Sequence, residues 1–250
     1  MSKTSTKVQD PNAKGSNGFI VAVGVILLIV AAIIGYIVWN GQNAKTDRLA
    51  EREEIPVNMD IELKDNAFVL KSDKATKDTP RVELYEDFSC PHCADLSIAT
   101  DEQMHKAVED GKLIVDLRMM NFLDGKDAAG NINVGHSTKA IAVEKQILEA
   151  GDLKTFWNLH DVLMRDQQKV VGQWEDEDLV NAAKALGASE EALKSLETID
   201  TDAAMKLAQS NFEKLEKDTG KASTPRVIKD GKDLKVEDLS QWVEVATQGK

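Results

Sequence analysis

The sequence predicts an α/β domain carrying a helical insertion, preceded by a single transmembrane helix. Three observations carry this reading. Gly18 to Trp39 is an uncharged, apolar run of 22 residues. After it the pattern is strand, helix, strand, a block of helices, then strand, turn and helix, an order that belongs to the α/β class. The 2 cysteines of the 250-residue chain, Cys90 and Cys93, fall where a predicted strand hands over to a predicted helix.

The apolar run is long enough for a helix to cross a bilayer, which takes about 20 such residues. Tyr36 and Trp39 cluster at one end, where amphipathic rings favour the headgroup level. A cleaved signal peptide would have a shorter apolar stretch, about 7–15 residues, and a small-residue cleavage site. This run is longer and the following NGQNAKTD offers no A-x-A site, so the run reads as an uncleaved anchor at 18–39 behind a cytoplasmic tail at 1–17. Lys3, Lys7 and Lys14 before the run balance Lys45, Arg48 and Arg52 after it, and basic residues alone leave the orientation open. No pair of glycines spaced four apart marks a helix-dimerisation face.

Asn40 to about Asn58 is polar and reads as a juxtamembrane linker, with the folded domain taken to span 65–250 after a linker at 40–64. Ala67 to Leu70 is a short strand. Arg81 to Glu86 alternates apolar and polar residues as a half-buried strand does, with Val82 and Leu84 on one face. Helical spacing of Leu96, Ala99, Met104 and Val108 runs to about Asp110, and Gly111 stops it. Leu113 to Phe122 is the next strand. A helical block at about 130–219 follows. Within it one helix holds Ile141, Ile147 and Leu148, Asp152 caps a second with Phe156, Leu159 and Leu163 inward, a third runs from about Glu175 to Leu186, and Ser189 restarts a pattern that Gly220 ends. Pro225 to Lys229 is a strand, Asp230-Gly231 a hairpin turn, and about Val236 to Thr247 a terminal helix.

Composition excludes one class of partner. The chain has 31 Lys and Arg against 43 Asp and Glu, and beyond Trp39 it keeps 28 basic and 42 acidic residues, a net −14. Such a body is repelled by phosphate backbones, so no nucleic acid is expected.

The chemistry lies in Cys90-Pro91-His92-Cys93. Pro91 suits the first helical position, where its fixed φ helps and its missing N–H leaves no bond unmade. Cys90 is then the N-cap, its sulfur facing free backbone N–H groups and the positive helix end, which favours thiolate. His92 can add a donor or a positive charge, while Glu86, Asp87 and Asp95 oppose ionisation if they lie close. Cys93, a turn further in, is shielded and fits the resolving thiol. Other uses of the pair fit worse. A zinc site needs about four ligands, and His92, His105, His136 and His160 lack the usual spacing. Covalent haem needs a histidine where the chain has Ala94. A structural bridge across two residues closes too small a loop to stabilise much. No metal or cofactor is expected.

CPHC after a strand, with Glu86-Asp87-Phe88 before it, a helical block beyond, then Thr224-Pro225, a strand and Asp230-Gly231-Lys232, resembles the DsbA-like branch of the thioredoxin superfamily. The resemblance covers about Phe68 to the C-terminus and implies a thioredoxin fold with an inserted helical domain. It further implies a cis Thr224–Pro225 peptide facing the cysteines, whose backbone pairs with substrate; a trans proline opening a strand is the plainer alternative. Leu84 departs from the family pattern: it stands six before Cys90, where several relatives carry a buried acid used in proton transfer, so that role must pass to another group or to water. Arg226 and Lys229 imply a less buried final strand. His105, His136 and His160, and Trp157, Trp174 and Trp242, read as surface or core residues rather than ligands.

The resemblance implies a protein disulfide oxidoreductase; the apolar run anchors it in the cell membrane by one pass, and the oxidising surroundings this chemistry needs put its N-terminus in the cytoplasm and its catalytic domain outside. Its substrates would be unfolded or reduced exported proteins and its reoxidant a membrane quinone-linked protein of DsbB or VKOR type. An anchor with no lipid-attachment cysteine fits an actinobacterial or other Gram-positive envelope. A reductase or isomerase of the same fold, and a tethered chaperone with incidental thiols, are the rival readings.

Overall fold

The computed structural model describes residues 17–248, with side chains at 20–36 and 45–248. Helix α1 (Asn17–Ala44) contains the apolar run. Its side chains from 20 to 36 are exposed, Ile20 and Leu28 among them. Among the described residues, no helix is long and apolar enough to cross a membrane. The tail lysines Lys3, Lys7 and Lys14 and the Trp39 side chain lie outside the described residues. The chain from Thr46 onward is a separate unit.

That unit is built on a six-stranded sheet in the order β1-β2-β4-β3-β5-β6. β1 (Asp60–Lys64) and β2 (Ala67–Lys71) form a hairpin. Its turn residues Asp65 and Asn66 both take left-handed φ, 51° and 59°, as a two-residue turn of this kind requires. β1 corrects the reading of 40–64 as linker: DIELK alternates, Ile61 is buried, and the strand closes one edge of the sheet. Further upstream, the 3₁₀ turn Asp47–Glu51 buries Leu49 in the core. β3 (Arg81–Asp87) and β4 (Ile114–Met120) are parallel neighbours joined through α2 (Pro91–Glu109). The sheet is covered on both faces, and every residue of β4 is buried.

Val82, Leu84, Val115, Leu117 and Met119 face the main core together with α2 and the inserted helices. Tyr85, Met120 and Ile228 face the other way onto Leu215 of α8 (Thr201–Thr219). On that second face Arg81 grips Asp116 through two bonds of 2.8 and 2.6 Å, and Arg118 meets Glu83 at 2.8 Å. Gly111 ends α2 at φ +71°, where an added Cβ would lie 2.7 Å from the Lys74 backbone, so only glycine fits.

The insertion comprises α3 (His136–Glu149), α4 (Leu153–Arg165), the short α5 (Gln167–Val170), α6 (Asp176–Ala185), α7 (Glu190–Ser195) and α8. Asp152 and Ser189 cap their helices through Thr155 N–H and Ala192 N–H as their sequence positions imply. The pattern from Ser189 to Gly220 is two helices, because Asp200 caps a new one by accepting from Ala203 N–H. β5 (Arg226–Lys229) and β6 (Lys232–Asp233) flank the Asp230-Gly231 turn. β5 buries only Val227 and Ile228, while Arg226 pairs with Asp233 at its edge. The terminal helix starts later than the sequence implies. A 3₁₀ turn, Leu239–Gln241, capped by Asp238, leads into α9 (Trp242–Gln248).

Candidate active site

β3 ends at Asp87, a short turn follows, and α2 starts at Pro91, so the thiols stand at the carboxyl end of a central parallel strand. Cys90 is the N-cap, with extended backbone at φ −88°, ψ 113°, and Pro91 opens the helix. The turn is held from three sides. Cys90 N–H donates to Asp87 carbonyl at 2.9 Å. The Asp87 carboxylate accepts from Ser89 N–H at 2.9 Å, Ser137 Oγ at 2.5 Å and Leu123 N–H at 3.1 Å, tying the turn to the start of α3. Burial pushes the Asp87 carboxyl up to about 6, against these donors. Gln167 Nε2 then donates to the carbonyls of Phe88, at 2.8 Å, and Cys90, at 2.9 Å.

Both cysteines are free thiols and buried, Cys90 at 5% exposure and Cys93 at 0%. The Cys90 thiol is pushed down to about 5. The largest cause is the hydrogen bond from the Cys93 thiol; burial opposes it, and Thr224 and the backbone N–H groups of Cys93 and His92 add to it. Cys93 moves the other way, well above its ordinary value, because it is buried, bonded to Cys90 and close to Glu86. The two sulfurs therefore differ in kind: one is poised as thiolate, the other kept as thiol.

The sites expected from sequence converge. The Thr224–Pro225 peptide is cis, and the Cys90 sulfur lies 3.6 Å from the Thr224 carbonyl oxygen. Beside them opens a groove of about 410 Å³ lined by His92, Leu96, Ala99, Pro225 and Leu239. The His92 side chain is 84% exposed and lies 3.9 Å from Asp95, while its backbone N–H is a donor that favours the Cys90 thiolate.

His160, expected as an ordinary core or surface residue, is buried in a charged cluster. Its Nδ1 lies 3.2 Å from Glu144 and its Nε2 3.9 Å from Glu86. His105 stacks on Trp157 with ring centres 5.2 Å apart, and Trp157, Trp174 and Trp242 are core residues. Sequence reasoning treated Glu86 only as a nearby acid. The signal was present, since Glu86 follows Val82 and Leu84 at intervals of two and shares their buried face. Gln167 had no such signal: it lies 77 positions from Cys90 in sequence.

A strand-to-helix redox pair facing a cis-proline loop, on a central sheet with an inserted helical block, defines a thioredoxin-fold thiol–disulfide oxidoreductase. This chain belongs to that family, in its DsbA-like branch, and is a protein disulfide oxidoreductase. The family model described as Thioredoxin matches residues 75–245. The chain is similar to the MdbA thiol-disulfide oxidoreductase of Corynebacterium diphtheriae, with 42% identity over 79% of this chain and 98% of that one and a TM-score of 0.72. It is likewise similar to MdbA of Corynebacterium matruchotii, with 37% identity, coverage of 80% and 98%, and a TM-score of 0.73. DsbA of Mycobacterium tuberculosis, at 16% identity over 73% of this chain and 98% of that one, shares the fold with a TM-score of 0.53. Among curated proteins, none matches the chain.

Proposed function

We propose that this protein introduces disulfides into unfolded or reduced exported proteins, working outside the cell membrane on an anchor supplied by the apolar run Gly18 to Trp39. The observation that carries the reading is the free, buried Cys90–Cys93 pair at the start of α2, its Cys90 sulfur 3.6 Å from the carbonyl of the cis Thr224–Pro225 peptide, a setting that favours the Cys90 thiolate. A substrate thiolate attacks Cys90 of the oxidised pair, and Cys93 leaves. A second substrate thiol then displaces Cys90 from the mixed disulfide, which Cys90 leaves readily because its thiolate is favoured. Thr224 and Pro225 line the place where an extended substrate segment would lie, and the adjoining groove would take its side chains.

Lowering a thiol from 9 to about 5 favours the reduced form at pH 7 by up to roughly 3 kcal/mol, before discounting for solvent screening. For a two-electron couple that is an upward shift of at most about 60 mV. The direction is that of an oxidant. The deciding measurement is the reduction potential of the Cys90–Cys93 pair: a value toward about −120 mV is expected, and one near about −270 mV would make the protein a reductase.

Disulfide formation belongs in oxidising surroundings, and this supports an N-terminus inside and a catalytic unit outside. The apolar composition of Gly18 to Trp39 supports the anchor. Protease added to intact cells stripped of their wall should remove the unit beyond Thr46, and full protection would overturn the orientation. Each turnover leaves the pair reduced, so a membrane quinone-linked reoxidant of DsbB or VKOR type completes the cycle.

A further inference from the structure

Every turnover must move a proton at Cys93, yet that sulfur is 0% exposed. Glu86, buried near the end of β3 on the face that Leu84 presents to the core holding Cys93, raises the Cys93 thiol through space, and the Asp87 N–H opposes this. Glu86 is 1% exposed, and its Oε1 has no hydrogen-bond partner among the described residues. Its Oε2 lies 3.9 Å from His160 Nε2, and His160 Nδ1 is 3.2 Å from Glu144. The imidazole is fixed between Phe88 and Trp157, with ring centres 5.4 and 5.5 Å away. Behind this cluster stands Asp101 of α2, bonded by the Ser97 hydroxyl and lining a cavity of about 510 Å³ with His105, Trp157, Asp161 and Arg165.

A buried carboxyl with an unpartnered oxygen is costly, and three carboxyls around one histidine cost more. Such an arrangement persists most simply if protons come and go. We propose that Glu86 gives and takes the Cys93 proton, that His160 is the positioning residue balancing its charge, and that Asp101 connects the pair to the cavity between α2 and α4. The proposal rests on the redox reading above and deepens it.

When a substrate thiolate attacks Cys90, the Cys90–Cys93 bond breaks and its electron pair leaves on Cys93. The Cys93 sulfur takes the proton of the neutral Glu86 carboxyl. Glu86 is left as carboxylate beside the His160 imidazolium and regains a proton from water through the Asp101 side. On reoxidation, Cys90 has formed a mixed disulfide with a disulfide-bearing reoxidant. Glu86 first releases its proton to water through the Asp101 side; its carboxylate then takes the Cys93 proton, the Cys93 sulfur attacks Cys90, and the reoxidant leaves as thiolate. Leu84, buried on the same face, has no proton to offer.

The protonation states agree with these roles. Burial first, then Asp101, pushes Glu86 up to about 8; His160 opposes this, and Cys90 and Glu144 add to it. Burial works against charging His160, but Glu144, Glu86 and Asp101 outweigh it and push it up to about 9. The groups acting on Glu86 are thus Cys90 at the N-cap of α2, Cys93 and Asp101 on α2, Glu144 on α3 and His160 on α4, with Asp161 and Arg165 acting on Asp101.

The test follows the reduced full chain reacting with an aromatic disulfide that releases a coloured thiolate. A first, bimolecular release reports Cys90 attack, and a second, concentration-independent release reports Cys93 attack. Glu86→Gln should slow the second release by roughly 100-fold, leave the first nearly unchanged and remove the pH inflection near 8 from the second. Asp101→Asn should keep the second release but move its inflection to lower pH, since Asp101 holds Glu86 up. Equal slowing of both steps by Glu86→Gln, or an unchanged second-step pH profile in both variants, overturns the proposal. If the wild-type chain releases only one equivalent, the pair does not close and the redox reading falls with it.

Discussion

At Cys90 the neighbour that matters most is its own redox partner. The start of α2 supplies two backbone donors, from His92 and Cys93, but the Cys93 thiol is the largest cause of the low Cys90 value. The two sulfurs are therefore one device: the hydrogen bond that makes Cys90 a thiolate also keeps Cys93 a thiol. Cys93→Ala separates the contributions. In that variant the midpoint of Cys90 ionisation, followed by thiolate ultraviolet absorbance, should rise clearly above about 5 without returning to 9, because the backbone donors remain. An unmoved midpoint would assign the effect to the helix start alone.

Among the elements, the local ones were legible and the long-range ones were not. The alternation of Arg81 to Glu86, the stop at Gly111, the Asp152 and Ser189 caps and the Asp230-Gly231 turn each rest on neighbours a few residues away. β1 was missed because five residues of a half-exposed edge strand differ little from a charged linker. The convergence of Thr224-Pro225 on the cysteines came from family resemblance, since no local pattern encodes a contact across 134 positions. The α5 clamp is the plainest case of what sequence hides. α5 has four residues, and through Gln167 it holds two carbonyls of the active-site turn. Gln167→Ala strands the Phe88 carbonyl, while the Cys90 carbonyl keeps the Cys93 and Ala94 N–H groups, so a loss of about 1–3 kcal/mol in denaturant unfolding is expected. Gln167→Glu keeps the shape but turns carboxylate oxygens toward those carbonyls and should cost at least as much. Equal stability of both variants with the parent would show that the clamp holds nothing.

For the whole molecule, redox state and pH are coupled through stability. The reduced protein carries a Cys90 whose folded value, about 5, is depressed below its ordinary 9. That depression stabilises the fold fully above pH 9, partially between 5 and 9, and not at all once the pH has fallen through 5. The oxidised protein has no thiol there, and its short disulfide loop constrains the unfolded chain only weakly. Glu86 works in the opposite sense. Its folded value, about 8 against 4.5, makes the fold lose stability as pH rises between the two, because the folded state holds a proton the unfolded state releases. Burial and Asp101, the largest causes of that shift, do not involve the thiols, so most of its effect should cancel in the difference between the redox forms. The gap between reduced and oxidised stability therefore isolates Cys90. Unfolding both forms in denaturant at about pH 4.5 and about pH 7.5 should show the reduced form ahead at the higher pH and the gap nearly closed at the lower. A gap that is constant with pH, or one that widens on acidification, would mean that the Cys90 thiolate does not set the balance between the two forms.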